Sequence, residues 1–314
     1  MLKAIVGLAL SVAAYGAVAR PGTINYTEGT VTVDGRPVKT GRLGSMELAP
    51  GSQLQTTNGK AEMLLTPGVF LRLGDNSAVR MVSPSLTDTR VAMVRGRATL
   101  EVDMLAHENH LAVQDGAANV VIDKKGIYEF NADQPHVAVY DGKVTAQVDD
   151  KSVELGKGKE LPLTGGVLKP QKFDRHENDN LMEWSKLRSE YVAEANAASA
   201  QTIVVDNPGW WAGTGWYWNP WYSTWAFVPG SGYFGNPWGI GFYSPAYFYA
   251  NPPLYYYPQP GRVYGGVRGF GGARPVPGRV GGPVGGFHTA RPAAPAVAPA
   301  APRPAPMGGG ARRR

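Results

Sequence analysis

Along residues 28–163, apolar and polar side chains alternate in short runs broken by Gly. The run from His136 to Tyr140, the Asp141-Gly142 pair and the run from Lys143 to Val148 show the rhythm most clearly. A period of two sends one set of side chains inward and the other toward water, which is the signature of a half-buried strand. Asp34-Gly35, Asn58-Gly59 and Asp141-Gly142 read as hairpin turns, because such pairs accept the positive φ angles of a two-residue loop. Further runs at residues 61–65, 69–73, 78–82, 89–94, 98–102, 110–113, 118–122 and 126–130 repeat the pattern. About a dozen short strands spaced near ten residues predict a mainly β chain, as an all-β sandwich or a short β-solenoid. Spacing does not decide between those two.

Past residue 170 the period changes. Leu181, Trp184, Leu187, Tyr191, Ala195 and Ala198 recur at three-and-four spacing, with Glu183, Lys186, Arg188, Glu190 and Glu194 on the other side. One amphipathic helix is expected within residues 171–201, with Asp174 as its cap, Glu177 completing a capping box, and its end before Thr202. Two roles are open for it. It can lie as a lid on an open end or edge of the β-domain, packed through the Trp184 stripe, or it can dock a partner.

Composition divides the rest. Gly 41 and Pro 26 together exceed one fifth of the chain, too much for one uniform globular domain, and the excess lies beyond Pro208. Residues 202–258 form an aromatic Gly/Pro-rich segment: seven of the 8 Trp lie there, and no Lys, Arg, Asp or Glu falls between Pro208 and Pro258. Trp210, Trp211, Trp216, Trp218, Trp221 and Trp225 are its candidate binding surface. Three readings stand: rings packed on the β-domain, an exposed platform for sugar rings or a protein, or a low-complexity disordered stretch. Residues 259–314 hold nine Arg and no acidic residue, so this tail is expected to be disordered and drawn to anionic envelope surfaces. Residues 20–207, by contrast, carry more acid than base.

The N-terminus bears on location. A basic start at Lys3, an apolar run to Ala14 and the small-x-small pattern of Ala17 and Ala19 predict a signal peptide over residues 1–19, cleaved before Arg20. The protein is therefore expected to be exported, and to be periplasmic, envelope-associated or secreted, with no transmembrane segment in the mature chain. Cys 0 removes disulfides, thiolate metal sites and thiol catalysis.

Residues 22–165 carry a resemblance. Gly29, Thr30 and Val31 open it; Leu43, Gly44, Leu48 and Gly51 lead to Thr56 and Thr57; Gly74, Asp75, Asn76 and Ser77 precede an apolar strand. Val94, Gly96 and Leu100 follow, then Val137, Val139, Gly142 and Val144, with Leu155 and Gly158 closing. In this order they resemble the FecR domain family. The resemblance implies a FecR-like all-β domain over residues 20–170. Family members that relay a signal from an outer-membrane transporter to a sigma factor also carry a cytoplasmic domain and a membrane span. This chain shows neither and is expected to be similar to exported, stand-alone FecR-domain proteins.

Catalytic patterns are weak. His107 and His110 lack the longer spacing of a helical zinc motif, and Ser45, Ser77 and Ser85 lack a nucleophile-elbow context. Asp75, Asp115 and Asp141 sit in turns, where such side chains cap backbone. No cofactor and no metal is expected. The expected function is a non-enzymatic ligand- or protein-binding module, a signalling accessory in the periplasm. The alternative is a structural envelope or matrix protein held by its aromatic and Arg-rich end. A carbohydrate-active enzyme would need paired carboxylates in a cleft. The partner is expected to be an envelope protein or polymer rather than a nucleic acid.

Overall fold

The computed structural model describes residues 19–39, 43–164, 168–175, 179–206 and 213–251. Residues 1–18, Trp210, Trp211 and the tail from residue 252 lie outside them, and so do the expectations that rest on those residues.

The chain opens with β1 (Thr23–Val33) and β2 (Arg36–Pro37), joined at Asp34 and Gly35, both at positive φ as the hairpin reading requires. There follow β3 (Gln53–Leu64), β4 (Val69–Leu73), β5 (Ala78–Pro84), β6 (Asp88–Arg95), β7 (Arg97–Val102), β8 (His110–Asp115) and β9 (Ala118–Ile122). Next come β10 (Gly126–Asn131), β11 (His136–Asp141), β12 (Lys143–Val148), β13 (Lys151–Gly156), β14 (Lys159–Pro162) and β15 (Gln171–Lys172). All join one 15-stranded sheet, in the order β13-β12-β9-β8-β6-β5-β3-β4-β7-β10-β11-β14-β15 with β1 and β2 beside β3. Among the described pairs, only β6 with β8 is parallel. Successive coils of a solenoid stack in parallel, so that alternative is excluded.

The sheet folds over itself at β3. One edge of β3 pairs with β1 along most of its length. Its other edge is shared: residues 53–55 pair with β5 and residues 61–64 with β4. The turn after β4 plugs the gap, where Thr56 Oγ1 accepts from Ser77 N at 3.0 Å and donates to Gly74 O at 2.5 Å. The two halves so produced enclose one apolar core that includes Leu71, Leu100 and Phe130 from one half and Val91, Val113 and Val144 from the other. Asn58 and Gly59 therefore form no hairpin. They lie inside β3, where Gly59 faces Gly29 and a Cβ on Gly29 would stand 2.7 Å from the Gly59 Cα. Two glycines let the backbones close on each other at the fold line.

The chain then crosses between halves repeatedly. Asp141-Gly142 is one such crossing and not a hairpin turn, since β11 pairs with β10 and β14 while β12 pairs with β9 and β13. Tyr128 ties two crossings together. Its hydroxyl donates to Lys124 O and accepts from Lys143 N at 3.2 Å.

Helix α1 (Asn180–Asp206) is longer and later than the periodicity suggests. Its cap is Asp179, whose Oδ1 accepts from Leu181 N at 2.7 Å and Met182 N at 3.3 Å. Asp174 precedes the helix instead of capping it. The β-branched residues after Ala200 remain helical, Thr202 satisfying its hydroxyl on Ala198 O at 3.0 Å, and Pro208 is the next breaker. The aromatic segment is regular where described: β16 (Gly215–Asn219) pairs with β17 (Thr224–Val228), β18 (Tyr233–Gly235) pairs with β19 (Gly241–Tyr243), and α2 (Pro245–Ala250) follows a Ser244 cap.

Candidate functional site

In the half of the sheet formed by β3, β4, β7 and β10, alternation sends Leu71, Leu73 and Leu100 to the core, leaving the opposite face to Glu62, Arg72, Thr99, Glu101 and Glu129. This second face is charged and buried nonetheless. Arg72 donates from Nε to Glu62 at 2.8 Å and from Nη1 to Glu101. Helix α1 crosses above and completes the cluster. Arg188 Nη2 donates to Glu62 at 2.9 Å, Ser189 Oγ to Glu101 at 2.7 Å, and Ser185 meets Thr99 at 2.6 Å. The Arg188 guanidinium also lies 4.1 Å from the Tyr26 ring centroid. Burial alone would raise the Glu62 pKa; Arg188 and Arg72 outweigh it and hold it down at about 2.

The stripe read from sequence is displaced in part: Leu181 and Ala195 are buried, but Leu187 and Tyr191 are not. Ser185, Arg188, Ser189, Val192, Asn196 and Ser199 face the protein, whereas Leu187 is 62% exposed and Tyr191 also reaches solvent. The sheet beneath is polar, so the helix is polar where it lands, and Arg188, assigned outward by periodicity, is its main anchor. The helix covers a face of the sheet rather than an open end or an edge.

The aromatic segment docks through side-chain amides. Asn25 brackets Trp225, accepting from its N at 2.8 Å and donating to its O at 3.2 Å. Asn196 does the same between Tyr243 N (2.8 Å) and Phe227 O (2.8 Å), while Asn236 donates to Glu101 at 2.9 Å. Trp238 Nε1 reaches Glu101 as well, at 2.9 Å. A second apolar cluster of Leu64, Phe70, Val192, Trp216, Phe227 and Phe242 fills the space between, with Phe70 and Trp216 edge to face at 5.0 Å.

Of the candidate tryptophans, Trp216 and Trp225 are buried and form no binding surface. Their rings are core, and Trp225 Nε1 donates to Gly44 O at 2.7 Å. Trp218 is 40% exposed, one side of its ring against Gly44, and Trp221 is 92% exposed. Trp221 is nevertheless held firmly. Asn219 Oδ1 accepts from Trp221 N at 3.0 Å and Tyr222 N at 3.2 Å, while its Nδ2 is anchored on Ala195 O and Ser199 at 3.1 Å each. Tyr191 Oη donates to Tyr222 O at 2.9 Å, which joins the turn to the exposed flank of α1. Trp221, Tyr222, Tyr191 and Leu187 make one accessible ledge.

A polar cleft of about 750 Å³ opens at the start of α1. Within it Arg97 binds Glu129 from Nε at 2.9 Å and also pairs with Asp179, and Tyr140 donates to Glu129 at 3.1 Å. The carboxylates that meet here share one guanidinium. His110 is apart, 3.1 Å from Asp88, and among the described residues no three His, Asp or Glu side chains gather to hold a metal.

Residues 52–145, from the start of β3 into β12, match the family model described as FecR protein. This stretch is similar to a FecR domain. Glu62, Arg72 and Glu101 lie inside it, whereas Arg188, Asn236 and Trp238 come from the helix and the aromatic segment fastened onto it. No curated protein matches the chain. Two crystal structures of candidate anti-sigma factors from Parabacteroides distasonis ATCC 8503 are similar in part. One shares 18% identity over 42% of this chain and 64% of its own, the other 14% over 57% and 99%, each at a TM-score of 0.37. Among the described residues no helix is long and apolar enough to cross a membrane.

The sequence reading missed Glu62, Arg72, Glu101 and Arg188. A signal was present: a single charge at alternate positions inside otherwise apolar strands, with both signs represented.

Proposed function

We propose that the protein is an exported, non-enzymatic binding module in which the FecR domain is a rigid base and the Trp221 ledge contacts a partner protein, in a signalling-accessory role in the periplasm. The observation that carries this reading is Trp221, 92% exposed on a turn that Asn219 and Tyr191 tie to α1. A large ring fully in water adds no stability, so the fixed turn around it favours display for contact. The FecR match supports a regulatory rather than a catalytic role, and the pairing of Glu129 and Asp179 on Arg97 leaves neither as a free acid or base. The test is photo-crosslinking in cells, with a benzophenone amino acid at position 187 or 221 and, as control, at the exposed Gln147 of β12. A shared adduct from 187 and 221 that is missing from 147 supports the ledge; identical adducts from all three positions overturn it.

The second reading is a structural envelope protein, favoured by nine Arg without any acidic residue in residues 259–314. It predicts envelope co-sedimentation that fades with salt and is unchanged by Trp221→Ala.

A further inference from the structure

The outer face of the sheet continues past the start of α1. The helix begins beside Arg97, and beyond it the outward side chains of β10, β11 and β14 line the cleft of about 750 Å³. Glu129, Ala138 and Glu160 stand in one cross-strand row, and the small Ala138 at its centre makes the hollow. One wall is the half-buried ring of Phe173. It is held edge to face with Tyr140 at 4.8 Å, by the pairing of β15 with β14, and by Arg175, which donates to Tyr140 O at 3.3 Å.

Polar groups of both kinds lack partners around this hollow. Asn131 Oδ1 accepts from Asp133 N at 3.0 Å and Gln134 N at 3.3 Å, which orients the amide and leaves Nδ2 as a donor with no acceptor among the described residues. His136 Nδ1 lies 2.9 Å from Gln134 O and donates to it, so Nε2 of the neutral ring is an acceptor. The half-buried Glu160 carboxylate has neither a hydrogen bond nor an ion pair among the described residues. Charge narrows what these groups can meet. Five carboxylates line the cleft against Lys60 and Arg97, which disfavours phosphates and other anions.

We propose that this cleft binds an uncharged glycan through a disaccharide unit, one C–H face against Phe173 and hydroxyls on Asn131, His136 and Glu160. A hydroxyl donates and accepts, which suits a lining of mixed sign. The C–H bonds of a pyranose present the positive edge that an aromatic face attracts. The volume falls in the range of small-molecule sites and leaves room for two sugar rings. The site is separate from the Trp221 ledge and stands or falls without it.

Isothermal titration of the full chain with cellobiose, maltose and N,N′-diacetylchitobiose measures affinity. Saturation-transfer NMR shows which sugar protons meet the aromatic rings. At least one sugar is expected to saturate with a Kd below about 10 mM, with the strongest transfer on one C–H face. Asn131→Asp keeps the Oδ1 contacts and turns the unused donor into an acceptor. Glu160→Ala removes an acceptor, and Phe173→Leu keeps an apolar wall without the ring. Each is expected to weaken binding about tenfold, and Phe173→Leu also to abolish the aromatic transfer. The same sugar with its primary alcohol oxidised to a carboxylate should bind about tenfold more weakly. No saturation by any of the three sugars at about 10 mM overturns the proposal. So does undiminished binding in the three variants, or equal affinity for the oxidised sugar. Binding lost in Trp221→Ala but kept in the cleft variants would move the sugar to the ledge and overturn it too. Glu160 has no partner to lose, so Glu160→Ala keeps the test decisive should Phe173→Leu fail to fold.

Discussion

Arg188 of α1 donates to Glu62 of β3 at 2.9 Å across 126 positions of sequence, with both side chains buried. Glu62 in turn holds Arg72, and Arg72 holds Glu101. The helix is fastened by charge as much as by apolar area. Such a cluster is no more stabilising than a well-packed apolar interface would be, but removing one member strands the others in a dry site. Its value is orientation: the fork of Arg188 fixes where along the sheet the helix sits.

Arg188→Ala is therefore expected to destabilise the protein by about 3–5 kcal/mol in urea unfolding. Glu190→Ala, on the exposed side of the same helix, should change stability by no more than about 0.5 kcal/mol. Arg188→Lys keeps the charge and loses the stacking on Tyr26, so it should fall between the two. Equal effects of Arg188→Ala and Glu190→Ala would show that the helix is held by other contacts.

Two buried acids should give opposite pH dependences. Glu62 is depressed in the fold to about 2 from 4.5, so its contribution is full above about 4.5 and lost as pH falls toward 2. Asp115 is raised by burial to about 6 from 3.8, with His136 acting against the shift. Its folded form holds the proton that the unfolded chain has released, so stability falls as pH rises from about 4 to about 6. Asp115→Asn should therefore stabilise the protein at pH 7, by about 1 kcal/mol, with no gain at pH 3. Thermal melts at the two pH values decide it, and an equal gain at both would refute the assignment.

The strands were legible because alternation is strong and Gly marks their ends. Even the interlock of Thr56 with Ser77 falls on motif positions that the sequence displays in order. Pairing was not legible: Asp141-Gly142 has the composition of a hairpin turn, yet β11 and β12 find partners elsewhere, because which edges meet depends on how the sheet folds at β3. Helix α1 was visible, and Leu181 and Ala195 of its stripe are buried, but the middle of its face was misjudged at Leu187, Arg188 and Tyr191. A hydrophobicity pattern assumes an apolar target, and here Glu62 and Glu101 wait beneath it. The aromatic segment hid its strands for a related reason, since Asn25, Asn196 and Asn236 do the docking and asparagine has the look of a turn residue.

Gly44 connects that segment to the β-sheet domain. Its φ is +80, its carbonyl receives the Trp225 indole, and an added Cβ would stand 2.4 Å from Trp218. Gly51 has a similar φ of +83 but open space around it. Gly51→Ala should cost only the backbone term, about 1–2 kcal/mol. Gly44→Ala adds the clash and should cost at least about 1 kcal/mol more, with a change in tryptophan fluorescence as the hairpin lifts. Equal costs in calorimetry and unchanged emission would mean that the indoles do not need this close approach.

Trp221 and Trp225 lie four residues apart in one hairpin and should behave oppositely. Trp225 is buried, hydrogen-bonded to Gly44 and edge to face with Trp218 at 5.6 Å, so Trp225→Ala opens a cavity and is expected to cost about 3–5 kcal/mol. Trp221→Ala removes a ring that water already surrounds and should change stability by less than about 0.5 kcal/mol. If the ledge is a contact surface, that silent substitution is the one that removes the photo-crosslinked partner captured at position 187. The partner would persist in any exposed-face variant away from the ledge, such as Gln147→Ala. Retention of the adduct in Trp221→Ala, with stability unchanged, would leave the exposed indole without a role in binding and shift the function to the cleft.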